Sequence, residues 1–460
     1  MVSSAVKSFG LLAVFALVVA ADVPPPGPPE GIAFPARPLP DRIVLTPGAD
    51  PAHAMAVAYR TDTAETATEA EIAVSLDTPN FDLNARKVSG TSLTIAPDQG
   101  NAIYHHVAFD GLSPNTAYAY RVKGSGGWSE WFSFRTAKAG FAPFRFLYFG
   151  DNQHQILSVG SRIIRQAFLN TAAPALALHA GDLVNQRSVK AADDEWGEWV
   201  AAGGANYAMV PEVPAIGNHE YGGGNPAAGG KPRSPGVLWD ASFALPGNGP
   251  DPVKPTAYTI QYQGVRFIML DGTAALEGFA LKEQTAWLEQ TLKTKTARWT
   301  VVMYHQPMFM CSRQSDPPVL QTNWRPLFDR YGVDLVLQGH DHCYARWSNP
   351  GSKVKSATAL RGPVYLISVA GGKMYGINDK TLATADRMAD DTQMYQVIDV
   401  AADRLHVQAF TASGTLYDDF AVVRGAKGTK HLAVAPNLPP RRLCKGDTGP
   451  DGLPCIAKRK

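Results

Sequence analysis

What is scarce narrows this sequence before any motif is read. Among 460 residues there are four cysteines, Cys311, Cys343, Cys444 and Cys455, enough for at most two bridges, so donor groups that recur elsewhere are oxygen and nitrogen rather than sulfur. Charged residues make up 18% of the chain, the net charge is +2, and no long run carries one sign. Electrostatics therefore gives no case for nucleic acid or a membrane surface as partner. Long apolar runs are missing after the first twenty residues, and that first run, Gly10 to Ala20, is about half of the roughly 20 residues needed to span a bilayer. With Lys7 before it and the small residues Val19, Ala20 and Ala21 after it, it reads as a cleaved signal peptide over 1–21. Export to a secreted or periplasmic location follows, and there the cysteines meet oxidising conditions.

What is present suffices for more than one core, with 45% hydrophobic residues. Residues 22–40 are so rich in proline that they predict an extended leader with no core. From 41 to 137 short alternating runs such as Met55 to Tyr59, His106 to Phe109 and Ala117 to Val122 are separated by turn formers such as Ser113-Pro114-Asn115. This spacing predicts a small all-β sandwich. The texture changes over 141–424, where nearly continuous apolar runs predict strands buried on both faces. Phe144 to Phe149 ends in Gly150-Asp151, Ala175 to Ala180 in Gly181-Asp182, Val213 to Ile216 in Gly217-Asn218-His219-Glu220, Trp299 to Tyr304 in His305, and Val333 to Leu337 in Gln338-Gly339-His340-Asp341-His342. Each strand delivers carboxylate, amide or imidazole at its carboxyl end, where loops leaving an α/β sheet converge on one crevice. Later strands at Val364 to Ala370, Tyr395 to Val400 and Leu405 to Phe410 complete a second sheet, giving an expected four-layer α/β domain of two packed mixed sheets with helices outside. Residues 425–460 form a basic tail.

These five motifs in order, over nearly all of Arg42 to Val423, resemble the calcineurin-like metallophosphoesterase superfamily, and most of all its purple acid phosphatase branch, which also places a fibronectin type III-like sandwich before the catalytic domain. The resemblance implies two metal ions: Asp151, Asp182 and His342 on one, Asn218, His305 and His340 on the other, with Asp182 bridging. It further implies hydrolysis of a small-molecule phosphate ester through a hydroxide shared by the metals, and a role for His219 in stabilising phosphoryl oxygens or protonating the leaving group, with Glu220 expected to orient it.

Two departures bear on the metals. The branch has a tyrosine ligand three residues after the bridging aspartate, and here that position is Asn185. Loss of a hard phenolate favours a divalent pair, zinc, manganese or iron, over ferric iron, and with it a neutral or mildly alkaline optimum. Two residues after Asp151, Gln153 stands where the branch has glycine; its amide oxygen is one candidate ligand and His154 the other, although an extended segment would turn His154 to the opposite face.

Bland readings apply to the rest. His53, His105, His106 and His179 lie in or beside strands as packing or surface residues. Trp196 and Trp199 have helical spacing and fit a core. Tyr344 and Arg346 follow His342 closely enough to border the site or to serve structure alone. Cys311 and Cys343 flank the His305 and His342 loops; they can bind metal as thiolates or tie the loops as a disulfide, which export favours, and Cys444 and Cys455 fit a local hairpin bridge. The Gly- and Pro-rich stretch Gly222 to Gly236 fits a rim over the site. The function expected is a secreted phosphatase acting on monoesters; a phosphodiesterase with the same centre, or a non-catalytic surface-binding protein, are the alternatives, and oligomeric state is left open.

Overall fold

The computed structural model describes residues 34–96, 100–185, 193–224, 233–294, 296–350 and 358–457. The expected signal peptide, most of the proline-rich leader and the middle of the Gly222 to Gly236 rim lie outside the described residues.

The alternating N-terminal runs fold as two facing antiparallel sheets. One joins Asp41–Pro47, Met55–Thr61, Ala102–Phe109 and Thr91–Ile95; the other joins Arg86–Ser89, Glu69–Val74, Ala117–Gly124, Gly127–Trp128 and Phe132–Arg135. Alternation puts Leu45, Val57, Tyr59, Val107, Tyr120 and Phe134 into the shared core, as expected where one face of each sheet is buried.

Beyond it stand two larger sheets. The first has eight strands, ordered Glu212–Pro214, Ala177–His179, Phe144–Phe149, Met394–Val400, Arg404–Thr411, Leu416–Arg424, Lys430–Val434 and Ala359–Leu360. The second has seven, ordered Tyr258–Tyr262, Val265–Met269, Trp299–Met303, Leu335–Gln338, Val364–Ile367, Tyr344–Ser348 and Arg387–Ala389. Both are mixed, with parallel pairing concentrated in the strands that precede the motifs.

The continuous apolar strands serve two cores at once. Phe146, Tyr148 and Leu178 meet Phe267, Met303 and Leu337 between the sheets. Leu147, Phe149 and Ala177 point outward to Ile163, Ile164 and Trp199 of the helices Ser161–Asn170 and Asp193–Gly203. On the far side Val302, Val336 and Tyr365 pack on Leu288, Leu320 and Phe328 of three further helices. Helix, sheet, sheet and helix are thus four layers. Trp196 and Trp199 are core, with 2% and 0% exposure. No helix among the described residues is long and apolar enough to cross a membrane.

Candidate metal centre

Carboxyl ends of parallel strands from both sheets meet at one edge. Phe144–Phe149, Ala177–His179 and Glu212–Pro214 run parallel in the first sheet and lead into Asp151, Asp182 and Asn218. Trp299–Met303 and Leu335–Gln338 run parallel in the second and lead into His305, His340 and His342. A parallel bridge between Asp151 and Val369 joins the two sheets at that edge. The glycines ahead of the donors are there for close approach: a Cβ on Gly339 would stand 2.2 Å from Asp151 Oδ1, and one on Gly217 2.3 Å from Asp182 Oδ1.

The donors form two sets that share one carboxylate. Asp151, Asp182 and His342 present ligand atoms within 4.8 Å of one another, and so do Asp182, His305 and His340. His305 Nε2 lies 3.0 Å from Asp182 Oδ2 and 3.1 Å from His340 Nδ1; His342 Nε2 lies 3.1 Å from Asp151 Oδ2. Asp151, Asp182, His305 and His342 are at most 2% exposed. His305 Nδ1 donates to the Ala180 carbonyl at 2.8 Å and His342 Nδ1 to the Lys373 carbonyl at 2.8 Å. Those bonds fix each ring with Nε2 toward the cluster, the arrangement that orients metal-binding histidines.

Three buried oxygens of this cluster, Asp151 Oδ2, Gln153 Oε1 and Asn218 Oδ1, have no hydrogen-bond partner. Buried polar atoms are nearly always satisfied, so these orphans fit a cation. Gln153 Nε2 lies 3.1 Å from Asp182 Oδ2 and 2.8 Å from His342 Nε2; a half-turn of the amide would bring Oε1 there beside the same donors. The segment is not extended, for His154 has φ 65° and Gln155 φ 54°. The alternation used to send His154 to the opposite face therefore fails. Its Nε2 is buried without a partner, and burial, reinforced by the Lys373 charge, lowers it to about 4.

Charge in the cluster is strongly coupled. Burial opposes ionisation of Asp182, but His305 and the neighbouring histidines outweigh it and hold the carboxyl well below its usual range. Burial likewise opposes the His305 cation, but Asp182 and Asp151 outweigh it and raise the ring to about 9. His340 is pushed well down by burial and by His305.

Around the donors the structure corrects one expectation. Glu220 does not orient His219: its carboxylate accepts the backbone N–H groups of Asp182, Leu183, Val184 and Gly217 at 2.7–3.3 Å, which ties the Asp182 loop to the Asn218 loop. Burial, then the Asp182 charge, raises it to about 7. The His219 ring is held instead through Nδ1 by the Asn185 carbonyl at 2.5 Å, with Nε2 3.9 Å from Asp182 Oδ2. Tyr344 and Arg346 turn to the sheet interior, where both bond Asp418 Oδ2, at 2.8 and 2.7 Å. Sequence reasoning missed Tyr375, whose ring lies 4.6 Å from that of His342, and Arg313, which bonds the His340 carbonyl and Asp341. No local pattern marks either one.

Cys311 and Cys343 form a disulfide with Cα atoms 6.5 Å apart, and Cys444 and Cys455 another at 6.0 Å. The thiolate reading of Cys311 and Cys343 is thereby closed. His53, His105, His106 and His179 bond Asp50, two threonines, the Ala241 carbonyl and Glu212 respectively, away from the cluster.

Comparison with known proteins agrees with this layout. Residues 40–136 match the purple acid phosphatase N-terminal domain, and residues 144–344 match the calcineurin-like phosphoesterase family. An uncharacterized protein of Mycobacterium tuberculosis is 28% identical over 303 residues, covering 59% of this chain and 56% of the relative. Purple acid phosphatase 23 of Arabidopsis thaliana is 26% identical over 60% of this chain and 63% of its own length. Acid phosphatase type 7 of Mus musculus is 28% identical over 58% and 64%. The chain thus spans somewhat over half the length of the curated relatives it matches. A solved structure titled "Structure of PhoD" superposes with a TM-score of 0.61 at 14% identity, over 85% of this chain and 92% of that one, a likeness of fold. Residues 144–344 of the chain are thus similar to the calcineurin-like phosphoesterases, and residues 40–136 to the N-terminal domain of the purple acid phosphatases.

Proposed function

We propose that this protein is an exported, metal-dependent phosphatase that hydrolyses phosphate monoesters at a dinuclear centre. The observation that carries the reading is the pair of three-donor sets joined at Asp182. Asp151, Gln153, Asp182 and His342 would hold one ion; Asp182, Asn218, His305 and His340 the other. The donor set is oxygen and imidazole throughout, which suits a divalent pair of zinc, manganese or iron. When bound, such a pair polarises phosphoryl oxygens and lowers the pKa of a coordinated water toward neutrality. The chain's own part is to hold the ligand atoms in register and to manage one proton. With Nδ1 engaged by Asn185, His219 presents Nε2 to the centre, placed to hydrogen-bond a phosphoryl oxygen and to protonate the departing alkoxide. The bonded disulfides and the N-terminal apolar stretch support export.

The test compares metal content and turnover of wild type, Asp182→Ala and His219→Ala on 4-nitrophenyl phosphate and bis(4-nitrophenyl) phosphate. Asp182→Ala should lose metal and activity together. His219→Ala should keep its metal and lose rate on both substrates through the missing hydrogen bond to a phosphoryl oxygen, the further proton-transfer loss, on the order of 10²–10⁴-fold, appearing only with an alkoxide leaving group. Equal turnover in all three would sink the enzymatic reading, and preference for the diester would make the protein a phosphodiesterase.

A further inference from the structure

A path of directional contacts runs from the sandwich to His219. It starts at a bulge: the register of Asp41–Pro47 against Met55–Thr61 shifts between Asp41 and Val44, and Arg42 there has φ 50°. Bulges re-aim side chains. The Arg42 guanidinium thereby reaches Asp193, the first residue of the helix Asp193–Gly203, with Nη1 2.5 Å from Oδ1 and Nη2 donating to the Asp193 carbonyl at 2.8 Å. Tyr104 donates to Asp193 Oδ1 at 3.0 Å and Arg60 to Oδ2 at 3.3 Å, so three sandwich side chains, each buried, converge on one carboxylate.

The same helix turn reaches the centre. Glu195 Oε2 accepts the Asn185 N–H at 2.5 Å, and the Asn185 carbonyl accepts the Nδ1–H of His219 at 2.5 Å. One turn on, Glu198 Oε2 accepts the Leu157 N–H at 3.2 Å, in the short helical turn Ile156–Gly160 that follows Gln153. Apolar packing of Trp196 and Trp199 is non-directional; charge-assisted hydrogen bonds at the helix start fix rotation and axial position as well. A catalytic group displaced by about 1 Å loses on the order of 100-fold in rate.

We propose that the sandwich is a positioning element for His219: Arg42 and Arg60, through Asp193, Glu195 and Asn185, hold the imidazole at the angle its proton transfer needs. The proposal rests on the reading of His219 as proton donor. It distinguishes positioning from cohesion, since a sandwich that merely stabilised the fold would change melting temperature without changing which leaving groups are handled well.

The experiment uses the full chain with metal bound and the variants Glu195→Ala, Arg42→Met, their combination, and His219→Ala. Metal per chain, KM and kcat are measured with 4-nitrophenyl phosphate, whose leaving group departs unprotonated, and glycerol 2-phosphate, whose alkoxide needs a proton. Expected are unchanged metal content, KM within about twofold, and a kcat loss on glycerol 2-phosphate of about tenfold or more against a loss under about threefold on 4-nitrophenyl phosphate. The double variant should lose no more than the worse single one, because members of one path are not additive. Equal losses on both substrates, or additive losses, overturn the proposal. If Arg42→Met does not fold, Arg42→Lys, which keeps the charge and loses the fork, carries the same expectation. His219→Ala separates the two readings. If it lacks the leaving-group discrimination, the proton-donor role falls and positioning with it; if it shows the discrimination and the Glu195 and Arg42 variants do not, positioning alone falls.

Discussion

Single side chains decide what kind of centre this is. Asn185 contributes its carbonyl to His219 and has no phenolate to offer a metal, and the Tyr375 ring lies tilted against that of His342. A centre loaded with iron should therefore lack the visible tyrosinate-to-iron band; an absorption spectrum of the iron-loaded protein checks this, and a purple product would mean that a tyrosine moves in. Glu220 is the residue whose loss should cost most for its size. Its two oxygens satisfy four backbone donors, and each buried donor left unsatisfied costs about 1–3 kcal/mol. Glu220→Ala should thus lower stability by about 3 kcal/mol or more, measured by denaturant unfolding, and weaken retention of both metals; a loss under about 1 kcal/mol would mean that water replaces the carboxylate. The clustered side chains were legible because each of their motifs follows a strand, and four of the five motifs carry a glycine there, the one at His305 being the exception. The work of Glu220 was not, because its partners are backbone N–H groups, which look the same in every sequence.

At the scale of elements, the strands that carry the motifs were legible from continuous apolar runs; the run Phe144 to Phe149 coincides with the strand observed. Loop geometry was not. His340 and His342 have φ of 71° and 44°, and Asp182 has 50°, left-handed values uncommon for residues with a Cβ, and nothing in a Gly-His-Asp-His string announces them. Strain of this kind persists where surroundings over-determine it. Around His340 and His342 those surroundings are the Arg313 contacts with the His340 carbonyl and Asp341, the Ser312 N–H bond to Asp341 Oδ2 at 2.7 Å, and the Cys311–Cys343 disulfide. Removing the disulfide with Cys311→Ser/Cys343→Ser should cost about 2–4 kcal/mol. It should also lower metal affinity about tenfold or more, as loss of supporting contacts around ligands does; competition with a chromogenic chelator measures it. Stability lost with affinity unchanged would confine the bridge to chain entropy.

At the scale of the whole molecule, stability also depends on a buried ionisable pair that the proposed chemistry does not use. His179 Nε2 and Glu212 Oε2 lie 2.6 Å apart, both fully buried, with His179 enclosed by Phe149, Trp199 and Tyr207. Burial disfavours charge on each: His179 falls from 6.5 to about 3, and Glu212 rises well above 4.5. Folded, the pair keeps one proton on the carboxyl between those limits. Unfolded, it binds two protons below pH 4.5, one between 4.5 and 6.5, and none above. Stability follows the difference in bound protons. The depressed histidine costs stability as pH falls below 6.5, the raised carboxyl costs it as pH rises above 4.5, and between the two the slopes cancel. The pair thus contributes a plateau from pH 4.5 to 6.5 with losses on both sides, about 1.4 kcal/mol per pH unit. Glu212→Gln removes the carboxyl limb alone, so the wild type's stability advantage over the variant should shrink by about 1.4 kcal/mol for each unit of rising pH above 4.5. Unfolding free energies of both proteins at pH 5 and pH 7 test this with the metal titrations cancelled in the difference. An advantage that stays constant, or grows with pH, would mean that Glu212 is ionised throughout and that the pair is a salt bridge between the parallel strands.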